Sequence, residues 1–236
     1  MKKKMEIKIL IAAFGLVIVV CIFVGRITSG SYIDNVELEK YLSNKKLKVE
    51  YCGMGYDPLT NRGYLDNDEI KSINDLMIGE DIIVVKAKID SSFERKIYYE
   101  CILSKIEIVD CYKGNLVKGD KVNVFEPVDC GFENQILCTD GYSMMQKDKE
   151  YILFLKNLKN TFYGTDKYVY APSSTLYSKY AVDNETPKLF SYEELEEPEN
   201  LHMYSQVKNQ EVYLYDKEQF EKYLYLKDEV MKDLGR

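Results

Sequence analysis

His202 is the only histidine in the chain, so any Ser–His or Cys–His nucleophile pair would have to use it. It sits in the polar segment LHMYSQ, residues 201–206, with no nucleophile motif beside it, and reads as an ordinary surface or boundary histidine. HExxH, GxSxG, GxGxxG and the Walker loop are all absent from the sequence. No His-rich or CxxC zinc site can be built, and no metal or cofactor is expected. The acidic loop from Asp57 to Glu69 departs from the EF-hand pattern. Arg62 stands where that loop needs glycine, and Leu59 where it needs an oxygen ligand. Glu193, Glu194, Glu196 and Glu197 read as a solvated helix face rather than a catalytic dyad, and Asn184–Thr186 matches a glycosylation sequon.

Tyrosines and cysteines carry the remaining chemistry. The chain has 21 tyrosines and no tryptophan. A tyrosine ring brings a large apolar body and a hydroxyl and loses little entropy on ordering, which suits recognition. Tyr142, Tyr163, Tyr168, Tyr170 and Tyr177 fall in and around residues 141–180 and are the expected ligand-contact face. The alternative is that they pack against the chain's own core. Cys130 and Cys138 share one loop, and a disulfide between them is expected; closing so short a loop contributes about 2–3 kcal/mol. The alternative is that both are free, small and buried. Cys111 reads as a free thiol facing the core.

The elements that must position these groups read as mainly β. Residues 81–90 (DIIVVKAKID) alternate Ile83, Val85, Ala87 and Ile89 on one face. In residues 106–113 the alternation of Ile106 and Ile108 slips by one at Val109–Asp110, which is the signature of a β-bulge. Val122 and Val124 resume it, and Glu150–Leu155 (EYILFL) is a buried strand. Further strands are expected over 47–52, 97–104, 168–171, 179–182 and 210–215, with residues 128–143 as an irregular loop and 53–68 as another. The barrel core is predicted to be Ile83, Val85, Ile89, Ile106, Ile108, Val122, Val124, Ile152 and Phe154. Short helices are expected near 34–42, 70–77 and 191–197, started by Asp34, by Asp68 or a neighbour, and by Ser191. A longer helix over 217–234 has Asp216 as its cap and Tyr215 stapled to Phe220. Phe220, Tyr223, Leu224, Val230, Met231 and Leu234 form its apolar face, and Gly235 ends it.

The N-terminus supplies a location. Met1–Lys8 is basic, and Ile9–Gly25 is a run of 17 residues without a charge. Such a run just reaches across a bilayer core. No good cleavage site follows it, so an uncleaved signal-anchor is expected, with cleavage near residues 28–31 as the alternative. The lysines place residues 1–8 in the cytoplasm and 27–236 outside. Residues 1–26 carry five basic side chains against Glu6, which leaves the outer 210 residues at −11 against −7 for the whole chain. An acidic outer part argues against a nucleic-acid partner.

Four runs together carry a resemblance: residues 81–89 (DIIVVKAKI), 105–114 (KIEIVDCYKG), 118–127 (KGDKVNVFEP) and 147–156 (KDKEYILFLK). The pattern resembles bacterial cell-surface domains related to the netrin/TIMP-like OB folds. It covers residues 76–182, with Lys86 and the Cys130–Gly131 pair departing from its glycines. The resemblance implies an OB-like barrel of five or more strands with short flanking helices. The parts are then a cytoplasmic 1–8, an anchor at 9–25, an extension at 27–75, the barrel at 76–182 and a C-terminal extension at 183–236. The animal inhibitors in this group ligate zinc through an N-terminal cysteine; helix and anchor precede the barrel here, so that mechanism is not carried over. The expected function is a non-catalytic, membrane-anchored extracytoplasmic module for an unknown protein or envelope ligand. The alternatives are a protease inhibitor-like domain and a carboxylate-dependent envelope enzyme. If the orientation is right, protease added to intact cells removes residues 27–236; survival of that region beside degraded extracytoplasmic controls would show it to be inverted.

Overall fold

A computed structural model describes residues 37–53, 67–98, 101–130, 134–158, 169–183 and 185–235. The anchor at 9–25, the Asp34 cap, most of the 53–68 loop, Asn184, Tyr163 and Tyr168 lie outside the described residues. Among the described residues no helix is long and apolar enough to cross a membrane.

Five strands close a barrel. They are β2 (Ile82–Ile89), β4 (Cys101–Lys113), β5 (Lys121–Glu126), β8 (Glu150–Asn157) and β9 (Val169–Pro172). Around the ring β2 pairs with β4, β4 with β5, β5 with β9, β9 with β8, and β8 with β2. Only β5 and β9 run parallel; every other pair in the ring is antiparallel. Two short strands extend this sheet: β3 (Lys96–Tyr98) on β4 and β10 (Lys179–Ala181) on β8. The bulge lies where the slipped alternation placed it. Lys86 faces Asp110 and Ala87 faces Ile108, so Val109 is the extra residue; a second shift leaves Tyr112 unpaired in the register. Gly114 ends β4 at φ +119, and a Cβ there would stand 2.7 Å from Ile83 Cγ2, so no other residue fits that corner.

The barrel interior holds Ile83, Val85, Ile89, Ile106, Ile108, Val122 and Val124, all buried. Ile152 and Phe154 are buried too, but on the opposite face of β8, under the C-terminal helix. Tyr151, Leu153 and Leu155 are the β8 residues that point into the barrel. A strand covered on both faces reads as a continuous apolar run, so its period cannot assign a face. The covering helix spans Lys217–Leu234, and Asp216 accepts a bond from Gln219 N at 2.8 Å. Its buried residues are Phe220, Tyr223, Leu226, Lys227 and Val230. Tyr215 does not staple to Phe220; its ring packs on Tyr51 and Tyr192, at 5.0 and 5.3 Å. Gly235 ends the helix at φ −77, outside the left-handed region.

A second sheet corrects the expected loop at 128–143. Strand β6 (Val128–Asp129) and β7 (Gln135–Thr139) form an antiparallel pair, and β1 (Lys48–Cys52) lies parallel to β7. The partner strand is some eighty positions upstream, so no local pattern announces it. The expected Cys130–Cys138 bond is not formed in this structure. Val128 faces Cys138, and Cys130 lies just past the end of β6. All five described cysteines are free. Cys111 is half-buried and packs on the barrel interior. Residues 210–215 form no strand; Val212 and Leu214 make only isolated bridges, to Tyr142 and Leu189.

In chain order the helices are α1 (Leu38–Leu42), α2 (Ile73–Leu76), α3 (Tyr192–Glu196), α4 (Tyr204–Val207) and α5, the helix just described. Ser191 and Glu194 form the expected capping box, whereas α2 starts at Ser72 with Asp75 rather than at Asp68. Because β8 is buried on both faces, Leu153→Ala and Phe154→Ala are each expected to destabilise the protein by about 2–5 kcal/mol in denaturant melts. A loss below about 1 kcal/mol at either position would show that its face is not packed.

Candidate functional site

The site lies at the end of the barrel where β2 and β5 finish and β4 and β8 begin. A groove of about 400 Å³ opens there. It is lined by Glu39, Leu42 and Ser43 on and beside α1, by Arg95 from the β2–β4 connection, by Gln146, Lys147 and Asp148 ahead of β8, and by Tyr204, Ser205 and Lys208 on and after α4. Three cations face two carboxylates in this lining, in a chain that is acidic overall.

Arg95 is the fixed point. Only 3% of it is exposed. Its carbonyl accepts from Leu38 N at 3.1 Å, which ties α1 to the connection. Its Nη1 donates to the Met145 carbonyl at 2.7 Å and its Nη2 to Glu39 Oε1 at 3.1 Å, while Nε has no partner. Glu39 Oε1 also meets Lys147 Nζ at 3.0 Å. Burial pushes the Glu39 carboxyl up, but the bonds and charges of Lys147 and Arg95 outweigh it and hold the group below the ordinary glutamate value.

Behind Arg95 stands Glu126, the last residue of β5 and fully buried. Its carboxylate accepts from Ser104 Oγ, from Met145 N at 2.7 Å and from Tyr142 Oη at 3.3 Å. Arg95 Nη1 lies 4.0 Å from it. A buried carboxylate needs such company, since its desolvation otherwise costs several kcal/mol.

Beyond Tyr142 is a second buried ionic cluster. The Tyr142 ring lies 4.9 Å from Lys179 Nζ, which donates to the Glu211 carbonyl at 3.1 Å and stands 3.3 Å from Ser143 Oγ. Lys227 Nζ donates to Glu211 Oε2 at 2.5 Å. A serine beside a lysine is the arrangement of Ser–Lys hydrolases. Here the Ser143 hydroxyl donates to the Glu211 carbonyl at 2.6 Å, and both residues are buried, so the pair is structural.

Of the five tyrosines expected to form a contact face, the three that are described, Tyr142, Tyr170 and Tyr177, are buried. Tyr142 is buried with its hydroxyl on Glu126, Tyr170 fills the barrel interior, and Tyr177 packs beneath α5. Each ring fills volume between layers, which is the alternative weighed against a binding face. His202 is a boundary residue: Nε2 lies 2.9 Å from Glu194 Oε1 and its ring packs on Phe190. No protein-family model matches the chain, and no curated protein sequence matches it.

The groove residues carried two signals in the sequence. Arg95 is one of four arginines among 32 basic residues, and a lysine-rich chain that keeps an arginine at one place marks a need for its planar fork. Glu126 continues the inward series Val122, Val124, so a carboxylate stands on a core face of a strand.

The second cluster sets a pH dependence. Burial pulls the Lys179 ammonium down to about 8, with Glu211 and Glu126 resisting. Unfolded, it titrates near 10.5, so above pH 8 the unfolded chain binds the extra proton and stability rises with pH. Burial acts oppositely on Cys130 and Cys138, whose thiols it pushes up from 9, so stability falls again above pH 9. Between pH 8 and 9 Lys179 is expected to contribute up to about 1 kcal/mol of rising stability, partly offset by the two thiols, so Lys179→Met falls below the unaltered protein by that amount over the interval. Equal slopes in chemical denaturation of the two proteins would remove Lys179 as the source.

Proposed function

We propose that this chain is a non-catalytic binding module, anchored by residues 9–25 and held outside the membrane, whose ligand seats in the Arg95 groove. The observation that carries the reading is the lining itself: hydrogen-bonding and charged side chains from four separate segments converge around one buried arginine. Ligand sites combine a shaped hollow with a few placed polar groups in this way.

The barrel supports an OB-type assignment, and with it kinship to the netrin/TIMP-like surface domains that the sequence resembles. Five strands close in the order β2, β4, β5, β9, β8, with a single parallel pair. In OB folds the connection between the first two barrel strands is a ligand-contacting loop. Here that connection carries Arg95.

The groove gives no support to a carboxylate-dependent enzyme. A general acid needs a carboxyl raised above its usual range. Glu39 is held below it by two cations.

Filling the groove tests the reading. Ser205 is exposed on α4, so Ser205→Trp blocks the hollow without touching a core. Full-length protein carrying this change is expected to lose capture of its envelope ligand with an unchanged melting temperature. Capture equal to that of the unaltered protein would place the ligand elsewhere.

A further inference from the structure

We propose that the groove is a carboxylate site for an acidic peptide segment, and that Glu39 fills it in the free protein as a built-in competitor. The inference rests on the groove being the ligand site and names what it takes.

A guanidinium offers five N–H groups in a rigid fork, and its Nε–Nη2 edge matches the two oxygens of a carboxylate. Nη1 is committed to the Met145 carbonyl at 2.7 Å. On the Nε–Nη2 edge, Nη2 meets a single oxygen, Glu39 Oε1, at 3.1 Å, and Nε has none. The edge is therefore half used, by an oxygen that Lys147 shares at 3.0 Å. A buried donor left unpaired costs about 1–3 kcal/mol, which a better-placed carboxylate would recover.

The charge of Arg95 partly serves Glu126, whose other partners Ser104, Tyr142 and Met145 N are neutral and from which Nη1 stands at 4.0 Å. That role uses Nη1, which also holds the Met145 carbonyl, and leaves the Nε–Nη2 edge underused.

Glu39 differs from Arg95 in exposure. Its side chain is 44% exposed, against 3% for Arg95. It stands on a helix of five residues whose first residue is preceded by Glu37, with no side-chain cap. Rotating an exposed glutamate into water is cheap, because the side chain regains its rotamer freedom. The cation stays in place when the anion leaves.

The chemical class follows from the occupant. The group the site already accepts is a glutamate side chain on a peptide, flat and singly charged, rather than a tetrahedral anion. Lys147 and Lys208 add positive charge at the rim, and Gln146, Ser205 and Tyr204 supply partners for a peptide backbone.

Isothermal titration of the full-length protein with capped hexaglutamate and hexaglutamine peptides tests this. Glu39→Gln removes the competitor's charge and is expected to tighten hexaglutamate binding about tenfold, a change of about 1.4 kcal/mol. Lys147→Gln is expected to weaken it, and hexaglutamine is expected to bind poorly to all three proteins. Both substitutions are at half-exposed side chains, and thermal melts of each variant check the fold. Unchanged or weaker hexaglutamate binding by the Glu39→Gln protein would overturn the competitor. Equal binding of the two peptides would overturn the carboxylate, and tighter binding of a hexauronate sugar than of hexaglutamate would overturn the peptide. Should these arms fail while Ser205→Trp still abolishes envelope capture, the binding module stands and only its ligand class falls; if capture also survives that change, both readings fall together.

Discussion

A fully buried carboxylate governs one end of this barrel. Glu126 sits where β5 leaves the sheet, in a place that a valine would occupy if alternation simply continued. Taking a carboxylate out of water is costly unless donors surround it. The chain supplies them from three directions: Ser104 across the β4–β5 pair, the backbone of Met145 ahead of β8, and the hydroxyl of Tyr142 after β7. Arg95 completes the group from the β2–β4 connection. Segments that approach the barrel end separately are thereby held in one arrangement, and the groove is the outer side of that arrangement.

Tyr142 joins this group to the next. Its hydroxyl serves Glu126 while its ring lies against the ammonium of Lys179. Lys179 in turn leans on Glu211, and Glu211 on Lys227 of α5. A run of buried polar contacts therefore passes from the β2–β4 connection to the C-terminal helix. Such a run is unforgiving of partial loss, since each member left alone keeps its desolvation penalty. It is a reason for the chain to use tyrosine at this place, where a phenylalanine would fill the space and face the amine but leave the carboxylate without the hydroxyl's bond.

What the sequence made legible were the features written in neighbouring residues. The alternation of β2, the slip at Val109, the cap at Asp216 and the box at Ser191 are all local, and the structure has them. What it hid depends on distant partners. Strand β7 finds β1 far upstream, and the face of β8 that carries Phe154 is covered by a helix some seventy residues on. Tyr142, Tyr170 and Tyr177 lie inside because a ring suited to recognition is equally suited to filling a boundary between layers. No motif announces the groove residues, because motifs describe nucleophiles and ligand clusters, and an isolated arginine is neither. Arg95 and Glu126 were nonetheless visible as residues out of keeping with their surroundings: an arginine among lysines, and an acid in a series of valines.

That α5 follows every barrel strand in the chain has a consequence for how the protein is made. Val84, Ile152 and Phe154 form the outer apolar surface of the barrel, and Phe220, Tyr223 and Leu226 are what shield it. A polypeptide emerging from its N-terminus can pair every barrel strand before those later residues exist. Until then it displays a sheet surface of the kind that chaperones bind and proteases degrade. A chain cut short by truncation or frameshift keeps that display permanently. The eighteen-residue helix is thus a late-arriving cover, the feature by which a shielded barrel differs to its surroundings from a bare one.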